Sequence, residues 1–172
     1  MKFKILTIFI AIFLYSSNVL ADSSYFLDFK KILNQSDAGK KAQDFLKNKL
    51  DKGIKDIKSK EKKIQEEEKK IIQQKKIISA EEYKKKVSEL RIKVSNLQKE
   101  RRNLLQSVSK QKKTARNEIL KNLNPILKKF MSEKKISIVL DKKNILLANE
   151  NLDITNEVMS LLNNKLKSIN LK

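Results

Sequence analysis

The stretch Ser79-Ala80-Glu81-Glu82 decides the fold of this 172-residue chain. It matches the capping box Ser-x-x-Glu, in which the serine and glutamate side chains accept hydrogen bonds from each other's free backbone amides. The box lies within residues 37–130, where apolar residues recur at helical spacing and Gly39, Gly53 and Pro125 are the only glycines and proline. A new helix is therefore predicted to begin at the box. Because no linker precedes it, the two helices must turn back on each other as a hairpin.

The first helix of the hairpin is predicted from Asp37 to about Ile78, with Ser36 or Asp37 as its N-cap. Gly53 inside it costs about 1 kcal/mol relative to alanine and is interpreted as a tolerated mid-helix glycine rather than a flexible joint. The apolar residues form one stripe on this helix. Its members are Ala42, Leu46, Leu50, Ile54, Ile57, Ile64, Ile71 and Ile78.

The second helix has a heptad seam in which steps of four and three alternate, as in a coiled coil. Past Ala115 the steps become four and four, a stutter that unwinds a coiled coil locally. Pro125 removes a backbone donor and is predicted to kink or restart the helix, with Asn124 as a cap. At 1.5 Å per residue, each arm would extend roughly 60 to 75 Å. The seam comprises Tyr83, Val87, Leu90, Val94, Leu97, Arg101, Leu104, Val108, Gln111 and Ala115.

Short strands are predicted on both sides of the hairpin. Ser24 to Phe29 is rich in aromatic residues and is expected to form a strand, and residues 30–34 one helical turn. Ile136 to Leu140 is predicted as a second strand, followed by a turn at 141–144 and a hairpin partner strand at 145–148.

A final helix is predicted to open within residues 152–158, with Asp153 or Thr155 as its cap. Its apolar stripe is Val158, Leu161, Leu162 and Leu166.

The predicted fold class is α+β and mostly helical. A long antiparallel coiled-coil hairpin, residues 37–130 with its turn near 78–80, is inserted in a small strand-containing head formed by 22–36 and 131–172. Such a head has a small core for one chain and exposed strand edges, so a homo-oligomer that shares the head is expected. The candidate oligomer core is Tyr25, Leu27, Ile138, Leu140 and Leu146.

The N-terminus has the pattern of a secretory signal peptide over residues 1–21. Lys2 and Lys4 precede the apolar run Ile5–Tyr15, and Val19-Leu20-Ala21 has small residues where signal peptidase prefers them. An uncleaved membrane anchor is the alternative, but the run is short for a membrane span. Cleavage after Ala21 and export to the periplasm are therefore predicted.

The composition argues against enzymatic chemistry. The chain has no cysteine and no histidine, which removes the thiol nucleophile, the commonest general base and the commonest metal ligand. Two glycines permit no glycine-rich phosphate loop. No catalytic residue, cofactor or metal is expected.

The positive charge is concentrated on the hairpin. Residues 37–78 hold 14 lysines and 8 acidic residues, and residues 79–130 hold 15 basic and 5 acidic residues, a net +16 in all. A bias this large indicates an anionic partner. Nucleic acid, an anionic membrane surface and unfolded protein are the candidates; export and the scarcity of aromatic residues argue against nucleic acid. The basic face expected to attract it comprises Lys84, Lys85, Lys86, Lys93, Arg101, Arg102, Lys112 and Lys113.

The head segments resemble the Skp (OmpH-like) family of periplasmic chaperones. The resemblance rests on residues 25–42 at one end and, at the other, on 136–141, 145–148 and Leu152-Asp-Ile-Thr-Asn-Glu-Val158. It implies a jellyfish-shaped homotrimer whose arms surround a cavity, and an ATP-independent holdase for unfolded outer-membrane β-barrel proteins. Some members are described as binding lipopolysaccharide, but no motif here transfers that site. Two alternatives remain open: a coiled-coil scaffold of the cell envelope, and a basic polyanion-binding protein.

Overall fold

The computed structural model describes residues 24–171. The predicted signal segment and its cleavage site lie outside these residues. None of the described helices is long and apolar enough to cross a membrane. In chain order the elements are β1 (Ser24–Leu27), α1 (Phe29–Gln35), α2 (Asp37–Gln74), α3 (Ala80–Lys134), β2 (Ile138–Asp141), 3-10 turns at Lys142–Asn144 and Glu150–Leu152, and α4 (Thr155–Lys165).

The helical hairpin is confirmed. Ser79 is the N-cap of α3, and its hydroxyl accepts a hydrogen bond from the amide of Glu82 at 3.2 Å. Helix α2 ends at Gln74, four residues before the predicted Ile78. The capping serine needs an extended backbone, and it has φ −64° and ψ 156°. The chain must therefore leave the helix before it reaches Ser79, in a turn at residues 75–79.

The two helices of the arm run antiparallel with a constant register. Lys49 donates to Gln111, Lys60 pairs with Glu100, and Lys93 pairs with Glu67. Along the seam Ala42, Ile57, Ile71, Leu97 and Ala115 are buried.

Gly53 lies in an unbroken part of α2, as predicted, and it has a packing role. A Cβ atom at this position would lie 2.5 Å from Cδ2 of Leu104 on α3. The glycine therefore leaves the space that the leucine side chain occupies.

The predicted restart of the helix at Asn124 is wrong, because α3 continues through Pro125 to Lys134. Proline removes one backbone hydrogen bond from a helix interior. The residues on both sides are packed into the head: Leu123 and Phe130 are buried, and Ile126 and Leu127 pack against the same core. Burial of this face offsets the missing hydrogen bond, since tertiary packing supplies most of the stability of a protein helix.

The two strands are confirmed and pair in parallel, with Ser24 opposite Ile138 and Phe26 opposite Leu140. Strand β1 stops at Leu27 because the Asp28 side chain caps α1, accepting from the amide of Lys31 at 2.7 Å. Strand β2 begins at Ile138 rather than Ile136. The amide of Ile136 instead donates to the Met131 carbonyl at 2.9 Å and closes the end of α3.

The predicted hairpin partner strand at residues 145–148 is wrong. Residue 145 follows the 3-10 turn that Asp141 caps, and no strand forms between 145 and 148. Leu146 and Leu147 are almost fully exposed. A strand is stabilised by packing of its side chains on neighbours, and these leucines find none among the described residues of a single chain.

The core of the head joins three distant parts of the sequence. It contains β1 and α1, the last turns of α3, and α4. Its buried members are Leu27, Ile32, Ile119, Leu123, Phe130, Ile136, Ile154, Val158 and Leu162.

The segment after α4 packs along the base of the arm. Leu171 is buried between Ala42 of α2 and Ala115 of α3, and its carbonyl accepts from the side-chain amide of Gln111. Lys167 pairs with Asp37 at 3.1 Å. This tail was not predicted, because its few apolar residues show no clear period.

Candidate functional site

A hydrogen-bonded clasp closes the head where the two ends of the chain meet. The hydroxyl of Thr155 accepts a hydrogen bond from the amide of Asp28 at 2.8 Å, and it donates to the Asp153 carboxylate. The Thr155 amide donates to the same carboxylate at 2.9 Å. The amide of Ile154 donates to the carbonyl of Phe26 at 2.9 Å. One threonine thus connects the start of α1 to the start of α4.

The clasp also contains an ion pair at the edge of the sheet. Lys142 donates to Asp153 at 2.9 Å and lies 5.5 Å from the centre of the Phe26 ring. Burial acts to raise the pKa of Asp153, but the hydrogen bonds from Thr155 and Lys142 outweigh it and lower the pKa. The hydrogen bond to Asp153 raises the pKa of Lys142. The predicted caps of α4, Asp153 or Thr155, are wrong, because the N-cap is Ile154 and it makes no side-chain cap hydrogen bond. Thr155 is the first residue of the helix, and its amide donates to the Asp153 side chain.

The five residues predicted as an oligomer core fall on two different surfaces. Tyr25 and Leu27 pack on the internal core of the single chain. Ile138 and Leu140 lie on the opposite face of the sheet, because side chains alternate along a strand and Val139 between them packs inward. Leu140 is 45% exposed, and Leu146 projects freely beyond the sheet.

The exposed face of the head also includes a residue absent from the predicted set. Leu147 is almost fully exposed next to Leu146. Two adjacent leucines with no neighbours to pack on leave a substantial apolar surface uncovered, which is a feature of interaction sites. The run Ile145-Leu-Leu-Ala148 is the available signal, but the strand prediction places only Leu146 of this run in the candidate oligomer core.

The predicted basic face of the arm is partly neutralised within the arm. Lys93 contacts both oxygens of Glu67 at 2.6 and 2.7 Å, Arg101 lies 3.6 Å from Glu61, and Lys86 lies 3.3 Å from Glu82. Such exposed pairs contribute little stability, but they reduce the charge available to a partner. The other five, Lys84, Lys85, Arg102, Lys112 and Lys113, form no ion pair with a carboxylate within residues 24–171.

The arm also exposes apolar side chains that the heptad pattern did not reveal. Large apolar residues are exposed at intervals along both helices: Phe45, Ile54, Ile72, Ile92, Val94 and Leu105, with Ile77 in the turn between them. Two of these, Ile54 and Val94, were predicted to lie in the seam, which is too narrow to cover them.

Two apolar grooves lie along the arm. One, of about 440 Å³, is near the turn and is lined by Ile64, Ile71, Ile72, Tyr83 and Val87, together with the oppositely charged Glu68 and Arg91. The other, of about 380 Å³, is at the base, where Ala42, Leu46 and Ile119 form the floor and Lys112, Lys113 and Arg116 the rim. Apolar floors beside cations can hold short apolar or acidic segments of many sequences through weak contacts. Among residues 24–171 no cluster of acidic side chains could hold a metal ion.

Comparison with known proteins places the chain in a family. Residues 24–162 match the model of the family described as outer membrane protein (OmpH-like), so the chain belongs to the OmpH-like family. A solved structure from Caulobacter crescentus CB15, described as an outer membrane chaperone (OmpH-like), is similar to it with a TM-score of 0.78 and 20% identity. The match covers 86% of this chain and 87% of that one. At this identity the similarity shows a shared fold. No curated protein matches the chain significantly.

Proposed function

We propose that this protein is a periplasmic chaperone that holds unfolded outer-membrane β-barrel proteins between its arms without ATP. One observation carries the proposal: the arm exposes apolar side chains along its length beside cations that have no carboxylate partner among residues 24–171. Membership of the OmpH-like family and the similarity to a protein described as an outer membrane chaperone support it. Binding of this kind requires neither a catalytic residue nor a nucleotide.

The function includes assembly through the head, formed by residues 22–36 and 131–172. A cavity between arms requires several arms, and we propose a homotrimer in which β2 and residues 145–148 contact neighbouring chains. The exposed face of Ile138, Leu140, Leu146 and Leu147 supports this, since an uncovered apolar surface favours association.

The central test is suppression of aggregation. An unfolded β-barrel protein is diluted from urea with the processed form of this chain, with no nucleotide, and light scattering is recorded. We expect the scattering to fall in proportion to added chaperone. No reduction at several-fold excess would refute the proposed function.

A substitution in the head separates assembly from folding. Leu140 is partly exposed in the single chain, so Leu140→Asp should leave the chain folded and lower the solution mass to that of a monomer, because a charge in a shared apolar interface is costly. The control is Ile92→Asp, at a similarly exposed position on the arm, which should keep the oligomer. A Leu140→Asp protein of unchanged mass would exclude Leu140 from the interface.

The charge contribution is tested on the unpaired lysines of the arm. Glutamine at Lys84, Lys85, Lys112 and Lys113 should weaken client binding and leave the oligomer intact. The control makes the same change in net charge at exposed lysines near the head, Lys30, Lys121, Lys128 and Lys165. An equal loss of client binding in the two variants would indicate that binding depends only on the total charge of the protein and not on the position of these lysines.

The two alternative functions predict different results. A scaffold of the cell envelope would bind a folded partner and would not suppress aggregation. A polyanion-binding protein would bind nucleic acid with a steep dependence on salt and retain binding at physiological salt.

A further inference from the structure

The C-terminal tail, residues 166–171, occupies an apolar site at the base of the arm without forming a helix or a strand. Leu171 is 5% exposed between Ala42 and Ala115, and Ile169 packs against the same cluster. Side chains two residues apart lie on one face of an extended segment. The arm base therefore accepts two apolar side chains from one face of a short peptide segment.

Polar groups of the arm complete this site around the backbone of the tail. The side-chain amide of Gln111 donates to the carbonyl of Leu171. Lys49 donates to Ser107 at 2.7 Å and to the Gln111 side-chain oxygen at 2.8 Å, and both of these acceptors are uncharged. Lys110 lines a cleft of about 300 Å³ beside Leu171. Two ammonium groups thus lie close to the tail and are not neutralised by it.

The helical segments that form the site are strongly basic. Residues 40–49 and 107–116 together hold eight basic residues and one acidic residue, a net +7 in 20 positions. None of the eight forms an ion pair with a carboxylate within residues 24–171. The site consequently favours a negatively charged occupant.

The tail has the wrong charge for the site that it occupies. Residues 165–171 contain two lysines and no acidic residue. The ion pair of Lys167 with Asp37, at 3.1 Å, is exposed and contributes little. Burial of Leu171 therefore holds the tail in place against repulsion between like charges. A segment with the same apolar spacing and acidic neighbours would be attracted where the tail is repelled.

We infer that the tail is a displaceable occupant of a peptide-binding site, and that acidic and apolar segments of unfolded proteins replace it there. Strands of membrane β-barrels alternate apolar and polar residues, so they have the required spacing of two. The inference rests on the proposed chaperone function and assigns one position on the arm to client binding. The site, called the tail site below, is formed by Ala42, Leu46, Gln111 and Ala115.

A synthetic peptide tests the charge preference of the tail site. It has the sequence of residues 165–171 with both lysines replaced by glutamate, and its binding to the processed protein is followed by fluorescence anisotropy. We expect saturable binding that weakens as salt is raised, because salt screens the attraction. A peptide with the unchanged sequence differs by four unit charges and should bind at least about tenfold more weakly.

Loosening the tail should improve binding of the acidic peptide. Leu171→Ser removes the buried anchor of the tail and changes no residue of the arm helices, so the affinity should rise about tenfold. The matched control is Leu161→Ser on α4, where the original side chain is 42% exposed and the affinity should not change. A tail that only seals the arm base predicts an equal or lower affinity in Leu171→Ser.

The absence of cysteine from the chain allows a probe on the tail itself. Ser168 is exposed, and Ser168→Cys carries a spin label whose mobility reports whether the tail is bound or released. We expect the mobility to increase when the acidic peptide is added, and also when an unfolded β-barrel protein is added. Leu171 is intact in this protein, so the measurement does not depend on the folding of Leu171→Ser.

Any of three results would overturn the inference: no saturable binding of the acidic peptide, equal affinities of Leu171→Ser and Leu161→Ser, or a label that stays immobile at saturating peptide. Suppression of aggregation without release of the labelled tail would refute the tail site and leave the proposed function standing. Release of the tail by an unfolded protein without suppression of aggregation would count against the proposed function alone.

Discussion

Removing the Thr155 hydroxyl is the most direct test of the hydrogen bonds that close the head. Thr155 is 2% exposed and bonds to both ends of the chain. Thr155→Val keeps the shape of the side chain but leaves the Asp28 amide without its acceptor, which costs about 1–3 kcal/mol. It also removes a hydrogen bond to a carboxylate, worth about 1.5–3 kcal/mol in a typical protein site. Asp153 is partly exposed and keeps its ion pair with Lys142, so the second cost is reduced. We expect the free energy of unfolding to fall by about 3 kcal/mol in total.

Thr155→Ser is the matched control, since it keeps the hydroxyl and loses one methyl group, at a cost of about 1 kcal/mol. The assay is urea unfolding at a fixed chain concentration, because the stability of an oligomer depends on concentration. Hydrogen exchange at the Asp28 amide gives a local measurement. If Thr155→Val loses about 2 kcal/mol more stability than Thr155→Ser, the Asp28 amide should exchange roughly 30-fold faster in the valine variant, provided that exchange follows local opening. Equal stability of the two variants would refute the role of the hydroxyl.

The same variant has a predicted pH dependence. The pKa of Asp153 is lowered in the folded protein, so its contribution is present above the unfolded pKa of about 3.9 and is lost as the pH falls through the folded value. Thr155→Val removes a cause of the lowered pKa. The difference in stability between wild type and variant should therefore narrow below about pH 3.9. A constant difference across this range would mean that the hydroxyl does not act on Asp153.

The remaining predictions concern close packing at the junctions of the arm. Gly39→Ala should destabilise the protein by about 1–3 kcal/mol in thermal unfolding, because the added methyl overlaps the backbone carbonyl of Leu33, which cannot move alone. Gly53→Ala should change stability by less than about 1 kcal/mol, since it meets only the mobile end of Leu104 and gains helix propensity; equal effects at the two glycines would contradict this distinction. Leu171→Asp should release the C-terminal tail from the arm base, because a charge cannot remain in that apolar site. Proteolysis should then cut the tail several-fold faster, and an unchanged rate would show that it is not held by Leu171.

Local chemistry explains why the arm could be predicted from the sequence. The capping box at Ser79 acts over four residues, and the helical period repeats over many turns, so both signals need no knowledge of distant residues. The sequence was less informative at short apolar runs, which can form either a strand or an exposed loop. Residues 145–148 have the composition of a strand, but whether they form one depends on a neighbour to pair with, and the described residues of a single chain supply none.

The candidate binding surfaces were only partly predictable. The excess of lysine on the arm is visible in the sequence, but the pairing of these lysines with carboxylates depends on the register between α2 and α3. That register sets Lys93 against Glu67 and leaves Lys84 unpaired. The exposure of Ile77 depends on where α2 ends, and the helix ended four residues before its predicted end.

The sequence by itself determined the two long helices, the turn between them, the position of both strands and the excess of positive charge on the arm. Each of these follows from local spacing, capping or composition. The tertiary structure alone decided that α3 passes through Pro125, that Thr155 joins the ends of the chain, and that Leu171 seals the arm base. The physical reason is that these features join residues far apart in the sequence, such as Asp28 and Thr155, which are 127 positions apart. Their energies come from burial and shared hydrogen bonds, which no local pattern records.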